Sequence, residues 1–270
     1  MFNTQLQILK TLQNDLENIG YPDSYRIARE IYQYSEGDPQ VIVETIARLR
    51  QNTPWEYVKE SSEFKGYDFI VNPSVLIPRI ETEQLVDIAA KILREDTKIN
   101  HIVDVGTGSG AIICSLFKEL NNKALKYTAS DISTDALKTA KKNAAKLDIK
   151  EINFIETNLA KDINIDQHTL VIANLPYIPT DTYMKLDPSV KDFEPRIALD
   201  GGRKGVDQIQ ELFKQLLLSP ALPKYILLEI DAEILPDVKL TIKSKTTKYS
   251  METVEDYRKQ IRFVICSLTA

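Results

Sequence analysis

Two cysteines and two histidines among 270 residues leave little room for several common chemistries. Cys114 and Cys266 each sit inside an apolar run and read as buried thiols, and no Cys/His spacing matches a metal-ligand pattern, so no metal site is expected. His101 and His168 each stand just before an apolar run, like residues at strand entries, which argues against histidine-based acid–base or nucleophilic schemes. With 9 glycines and 12 prolines the chain is neither collagen-like nor linker-rich. No apolar run approaches the roughly 20 residues of a membrane span. The opening MFNTQLQILKTLQNDLENIG alternates polar and apolar residues and lacks a continuous signal-peptide core. A cytoplasmic protein with no membrane partner is expected. The net charge of −5 argues against a surface that grips a long phosphate backbone, so nucleic acid is not expected as the direct substrate.

What is present is 43% hydrophobic and 27% charged residues, an ordinary globular balance, arranged in two styles. The first third is helical in pattern. Leu9, Leu12, Leu16 and Ile19 recur at helical spacing until Gly20 and Pro22. A second helix starts at Asp23 or Ser24 with Ile27, Ala28 and Ile31 on one face. A third starts at Asp38-Pro39, a cap and a first-turn proline, with Ile42, Ile46 and Leu49 inward. Residues 64–71 read as a hairpin turning at Lys65-Gly66. A boundary near residue 73 divides this small helical-bundle domain, 1–73, from a second domain, 74–270.

Beyond the boundary, strands and helices alternate. A helix follows Glu81. Strands are expected at 101–105, 126–130, 151–156, 169–173 and 224–230, with helices after residue 110, after Ser133 and near 206–218. Segments 246–254 and 260–268 read as a closing pair of strands. Repeated β–α units predict a doubly wound α/β sheet, mostly parallel with an antiparallel C-terminal strand. Ligands of such sheets sit at the carboxyl ends of the strands, where strand order reverses.

The strand HIVDV runs into Gly106-Thr107-Gly108-Ser109-Gly110 and then a helix. Glycine lets backbone approach a ligand and adopt positive φ. Asp131 ends the second strand, about where doubly wound folds hold an acid for ribose hydroxyls. The spacing is G-x-G-x-G, and no phosphate-binding G-x-x-x-x-G-K is present. This tight loop after an acidic strand end resembles that of the S-adenosylmethionine-dependent methyltransferases. The resemblance implies S-adenosylmethionine as cofactor. Gly106 to Gly110 would pack on its amino-acid part, Asp131 would accept from its ribose, Asn158 and Leu159 would meet the adenine, and Asn174 would also face the cofactor.

The fourth strand ends in Asn174-Leu175-Pro176-Tyr177, similar to the [DN]-P-P-[YF] motif of methyltransferases that modify planar amino or amide nitrogens. An amide nitrogen is a poor nucleophile because its lone pair is delocalised into the carbonyl. The Asn174 side-chain oxygen and the Leu175 carbonyl, held extended because proline follows, can each accept one of its N–H bonds. Tyr177 can pack on the flat group. Catalysis is then mostly alignment and preorganised electrostatics, without a strong general base. On these residues alone, amide and adenine remain alternative substrates.

More of the chain resembles one family, the protein-(glutamine-N5) methyltransferases of peptide chain release factors. Residues 53–82, TPWEYVKESSEFKGYDFIVNPSVLIPRIET, are similar to that family's hairpin and its L-I-P-R-x-[ED]-T-E segment. VDVGTGSGAI, ASDIS and NAAKL follow in family order, and FEPRIALDGG at 193–202 is similar to F-E-P-x-x-A-L-x-G-G. The resemblance implies a Rossmann-like methyltransferase sheet, an N-terminal domain that docks the release factor, and the glutamine of a Gly-Gly-Gln loop as substrate, in a monomer. It places Pro78, Arg79 and Glu83 near cofactor and substrate, and suggests that Glu194 pairs with Arg196 at the substrate channel. Three positions depart from the family: Leu175 replaces a proline, Glu229-Ile230-Asp231 replaces E-I-G, and Asn158 replaces an acid. The rivals are an adenine-N6 methyltransferase of rRNA or DNA, which the L-I-P-R and F-E-P segments disfavour, and an inactive release-factor-binding relative.

Overall fold

A computed structural model describes residues 2–269, with side chains from residue 5. Helices α1 (Phe2–Asn18), α2 (Ser24–Tyr34), α3 (Pro39–Arg50) and the single turn α4 (Trp55–Val58) come first. Their apolar faces meet in one cluster of Leu12, Leu16, Ile27, Ala28, Ile31, Ile46, Leu49, Trp55 and Val58. Asp38 caps α3 by accepting from the Gln40 N–H, with Pro39 in the first turn, as the sequence predicts. A hairpin follows, β1 (Ser61–Phe64) and β2 (Tyr67–Ile70), turning at Lys65-Gly66.

The main sheet then builds up through α5 (Glu83–Glu95), β3 (His101–Val105), α6 (Ala111–Leu120), β4 (Lys126–Asp131), α7 (Thr134–Lys146), β5 (Ile152–Glu156) and β6 (Thr169–Ala173). Two single turns, α8 (Thr180–Tyr183) and α9 (Pro188–Lys191), precede α10 (Asp207–Leu218), β7 (Tyr225–Glu229), α11 (Leu235–Lys245), β8 (Tyr249–Glu255) and β9 (Ile261–Leu268). The strand order is β5-β4-β3-β6-β7-β9-β8. Pairings from β5 to β7 are parallel, and β9 runs antiparallel to both its neighbours. The expected doubly wound sheet with an antiparallel C-terminal strand is borne out.

Central strands covered on both faces read as unbroken apolar runs, and β3 and β6 are buried at every residue. Their side chains alternate between two cores. Ile102, Leu170, Ile172 and Leu227 face α5, α6 and the hairpin, while Val103, Val105, Val171 and Ala173 face α10 and α11. From β3 the chain steps outward through β4 and β5, then returns to β6 on the other side of β3. The β3–β6 gap is therefore the point where strand order reverses, and a cleft opens there at the carboxyl ends.

Besides the single turns α4, α8 and α9, the longer helix α11 went unanticipated. Its inward residues Leu235, Val238, Thr241 and Ile242 keep helical spacing, and Pro236 sits in its first turn. The β-branched residues and three lysines of LPDVKLTIKSK mask that signal.

Candidate active site

The glycine loop leaves β3 with its backbone tied to the next strand. The N–H groups of Gly106 and Thr107 both donate to the Ser130 carbonyl at 2.9 Å. Gly106 has φ +73°, and a Cβ there would come within 3.1 Å of the Leu175 side chain. Gly110 has φ +79°, and a Cβ would meet the Cβ of Ala140 on α7 at 3.1 Å. Both positions need glycine for conformation and for close approach.

Two carboxylates stiffen the loop. Thr107 Oγ1 donates to Asp104 Oδ2 at 2.6 Å, and Asp104 is fully buried. Its Oδ1 has no partner of ordinary hydrogen-bond geometry among the described residues. Burial pushes the Asp104 carboxyl up to about 7. Asp131, at the end of β4, accepts from the Gly108 N–H through Oδ2 and from the Ser133 N–H through Oδ1, each at 2.9 Å. Burial raises the Asp131 carboxyl, opposed by these backbone donors.

After β5, the chain turns at Leu159 with φ +56°. A left-handed leucine costs roughly 1–2 kcal/mol. It is held by Ser130 Oγ donating to its carbonyl at 2.9 Å and by the Ala160 N–H donating to Gln215 Oε1 at 3.0 Å. Strain held in place by its surroundings is characteristic of functional sites, and here it sets Asn158 and Leu159 at the cleft.

These segments enclose a cavity of about 250 Å³. Among the expected cofactor residues, Gly106, Thr107, Gly108, Ser109, Asp131, Asn158, Leu159 and Asn174 all line it, whereas Gly110 lies behind the loop against α7. A Cβ on Gly108 would meet nothing within 4 Å, so the loop backbone faces open space. The N–H groups of Gly106, Thr107, Gly108 and Gly110 are engaged within the protein, so what the loop presents to the cavity is closely approachable backbone beside the Asp131 carboxylate.

The opposite wall holds Asn174, Leu175 and Pro176, with Thr82, Pro78 and Arg79 from the segment before α5 and Pro195, Ile197 and Ala198 from the loop after α9. Asn174 Nδ2 donates to Thr82 Oγ1 at 3.3 Å. The Leu175 carbonyl receives no backbone N–H among the described residues. Leu175 borders the cavity while its side chain packs in the core beneath Gly106, where leucine stands in place of the family's proline.

Tyr177 does not line the cavity. It turns toward Arg262, Glu229 and Asp231, and burial pushes its phenol up to about 12. The expected Glu194–Arg196 pair is also absent. Glu194, with its side chain almost wholly buried, accepts from the Ile77 N–H at 3.1 Å and pairs with Arg79. Arg196 lies outside, pairing with Asp200 through Nη2 at 2.8 Å and stacking over Tyr183. The 3-10 turn Arg196–Ala198 carries its guanidinium away from the buried Glu194 and back along the turn to i+4.

Gly201 braces the turn that follows β6. The Gly201 N–H donates to the Ile178 carbonyl at 2.8 Å, and a Cβ on Gly201 would sit 2.5 Å from the Pro176 oxygen. Thr82, Ile132 and Ile197 were not singled out from the sequence. All three lay in recognised segments, but that Ile132 and Ile197 are exposed apolar residues, 52% and 59%, beside the cavity is a signal only a structure supplies. Neither histidine is near: His101 opens β3 and His168 precedes β6, both at the other end of the strands. His101 is held down to about 4 by burial.

A methyltransferase-domain family model matches residues 96–179, which run from before β3 to just past Tyr177. A release factor glutamine methyltransferase of Clostridium acetobutylicum is 33% identical over 247 residues, covering 89% of this chain and 84% of that protein. One from Koribacter versatilis is 37% identical over 197 residues, 73% of this chain and 66% of its own length. In other relatives the chain spans less, 60% of a Geobacter sulfurreducens protein and 55% of a Fusobacterium nucleatum protein that carry the same name. Among solved structures, the catalytic domain of hMettl16 in complex with an RNA hairpin superposes with a TM-score of 0.60 at 14% identity, over 84% of this chain and 83% of that one. That likeness concerns the fold alone.

Proposed function

The chain belongs to the release factor glutamine methyltransferases, and from that premise we propose that it methylates the side-chain amide nitrogen of the glutamine in the Gly-Gly-Gln loop of a peptide chain release factor, with S-adenosylmethionine as donor. The observation that carries this reading is the pairing, on one cavity wall, of the Asn174 amide with a Leu175 carbonyl that no backbone N–H occupies. A primary amide offers two N–H bonds in one plane, and two acceptors can hold both.

Bound, the cofactor supplies an electrophilic methyl group. Gly106, Thr107, Gly108 and Ser109 receive its amino-acid part, Asp131 its ribose, and Asn158 and Leu159 its adenine. Asn174 and Leu175 accept from the substrate amide and turn its lone pair toward the donor. Pro176 keeps the Leu175 carbonyl extended. Tyr177 acts from behind, packing the clamp against Arg262. No histidine lines the cavity, so rate enhancement comes from orientation and fixed dipoles. Residues 1–73 form the part that docks the release factor, and 74–270 the part that binds cofactor. The protein works as a monomer in the cytoplasm, where release factors act; no helix among the described residues is long and apolar enough to cross a membrane.

The test is a competition for label from S-adenosylmethionine among purified release factor, rRNA and DNA. Label in the release factor alone is expected. Label on adenine would replace this reading with the nucleic-acid one, and cofactor binding without transfer would leave an inactive relative.

A further inference from the structure

The clamp requires the Asn174 oxygen, and not its NH2, to face the cavity. An amide side chain has both ends, nearly identical in shape, so something must select between them. Parallel pairing sets Ala173 of β6 beside Leu228 of β7, which brings the following residues, Asn174 and Glu229, together at the two strand ends. Glu229 is 2% exposed, and it does not line the cavity; it lies behind Asn174. Its carboxyl lies against the Thr82 hydroxyl and the Asn174 amide, and its Oε2 has no partner of ordinary hydrogen-bond geometry among the described residues. Thr82 in turn accepts from Asn174 Nδ2 at 3.3 Å.

Resting on the reading above, we infer that Glu229, with Thr82, is the positioning residue that fixes the polarity of the Asn174 amide. An ionised carboxylate only accepts. With Glu229 behind it, Asn174 turns its NH2 backward and its oxygen into the cavity. The flipped amide would aim its oxygen at a carboxylate and leave its NH2 facing the substrate's own N–H groups, so two buried acceptors would go unsatisfied. The charge on Glu229 is favoured by Arg262 from β9 and opposed by Glu81 from the turn before α5. Tyr177 and Asp231 face the same Arg262. Burial is the dominant influence and lifts the Glu229 carboxyl to about 7. Below that, the protonated acid can donate to the Asn174 oxygen and draw it out of the cavity.

The test is Glu229→Gln, with Thr82→Val as a second variant that removes the hydroxyl and keeps the shape. For each, kcat at saturating cofactor, cofactor Kd and the pH profile of kcat are measured. Glu229→Gln should lose about tenfold to a hundredfold in kcat, the scale of a misplaced catalytic group, with cofactor Kd unchanged. Wild-type kcat should rise through about pH 7 as Glu229 ionises, and Glu229→Gln should lack that rise. Thr82→Val should lose less, in kcat only. Wild-type kcat in Glu229→Gln overturns the inference, as does a parallel loss of kcat and cofactor affinity, which marks a merely structural prop. Asn174→Ala, run alongside, separates the layers: if it retains wild-type activity, the clamp reading fails, whereas an inactive Asn174→Ala beside a fully active Glu229→Gln defeats this inference alone.

Discussion

At the glycine-loop end of the cavity, the groups that meet are close in sequence. Thr107 reaches back three residues to Asp104, and Asp131 reaches Gly108 across 23. At the clamp end they are far apart: Asn174 meets Thr82 across 92 residues, and Glu194 holds Arg79 and Ile77 across 115 and 117. At the first end, the glycine loop and Asp131 come from one β-α-β unit, β3 to β4. The second needs the segment before α5, the end of β6 and the loop after α9 to come together on a finished sheet. Cofactor binding and methyl transfer should therefore respond to different substitutions.

The largest effect should come from the clamp. Asn174→Ala is expected to reduce transfer by about 10²–10³-fold, the cost of losing a preorganised acceptor, with cofactor Kd near wild type by calorimetry. If affinity falls as far as rate, the two ends are not separable. Gly201→Ala should come next. Its Cβ would sit 2.5 Å from the Pro176 oxygen and 2.9 Å from the Tyr177 Cα, both backbone atoms that must shift. About a hundredfold loss in kcat is expected for a displacement of that order, again without loss of cofactor affinity. Equilibrium dialysis beside steady-state rates would show it.

Asp131→Ala should do the reverse. Removing a buried carboxylate that holds Gly108 and Ser133 should weaken cofactor binding about 10- to 100-fold, the range for hydrogen bonds to a charged group. At saturating cofactor, kcat should recover nearly fully. Persistent loss of kcat would mean that the loop also shapes the clamp.

The smallest effect concerns Asp104. Its native carboxyl keeps a proton up to about 7, against 3.8 for an ordinary aspartate. Within that window the native state binds more protons than the unfolded state, so stability falls as pH rises. Asp104→Asn stays neutral and should gain in Tm relative to wild type between pH 5 and pH 8. A difference that does not change with pH would remove Asp104 as its source.

The same contrast explains what the sequence disclosed. The glycine loop, the acid ending β4 and the Asn-Leu-Pro-Tyr turn are contiguous signals, and their strand–loop–helix setting follows from hydrophobic periodicity. The sheet and its antiparallel last strand were legible for that reason. The partner of Glu194 was not. Arg196 is two residues away and Arg79 is 115, and only the folded segment before α5 makes the distant one the neighbour. Tyr177 illustrates the same limit: a motif gives its position next to the clamp, while Arg262 on β9 decides which way it turns. Leu175 shows both halves: its departure from the family proline is plain in the sequence, while the packing of its side chain in the core under Gly106 is visible only in the fold.

The most direct measurement is fragmentation mass spectrometry of a release factor after incubation with this protein and S-adenosylmethionine. The account predicts one added methyl group, carried by the side-chain nitrogen of the glutamine in the Gly-Gly-Gln loop, and none when Asn174 is alanine. A methyl on any other residue, or an unmodified loop from a protein that binds the cofactor, would contradict it.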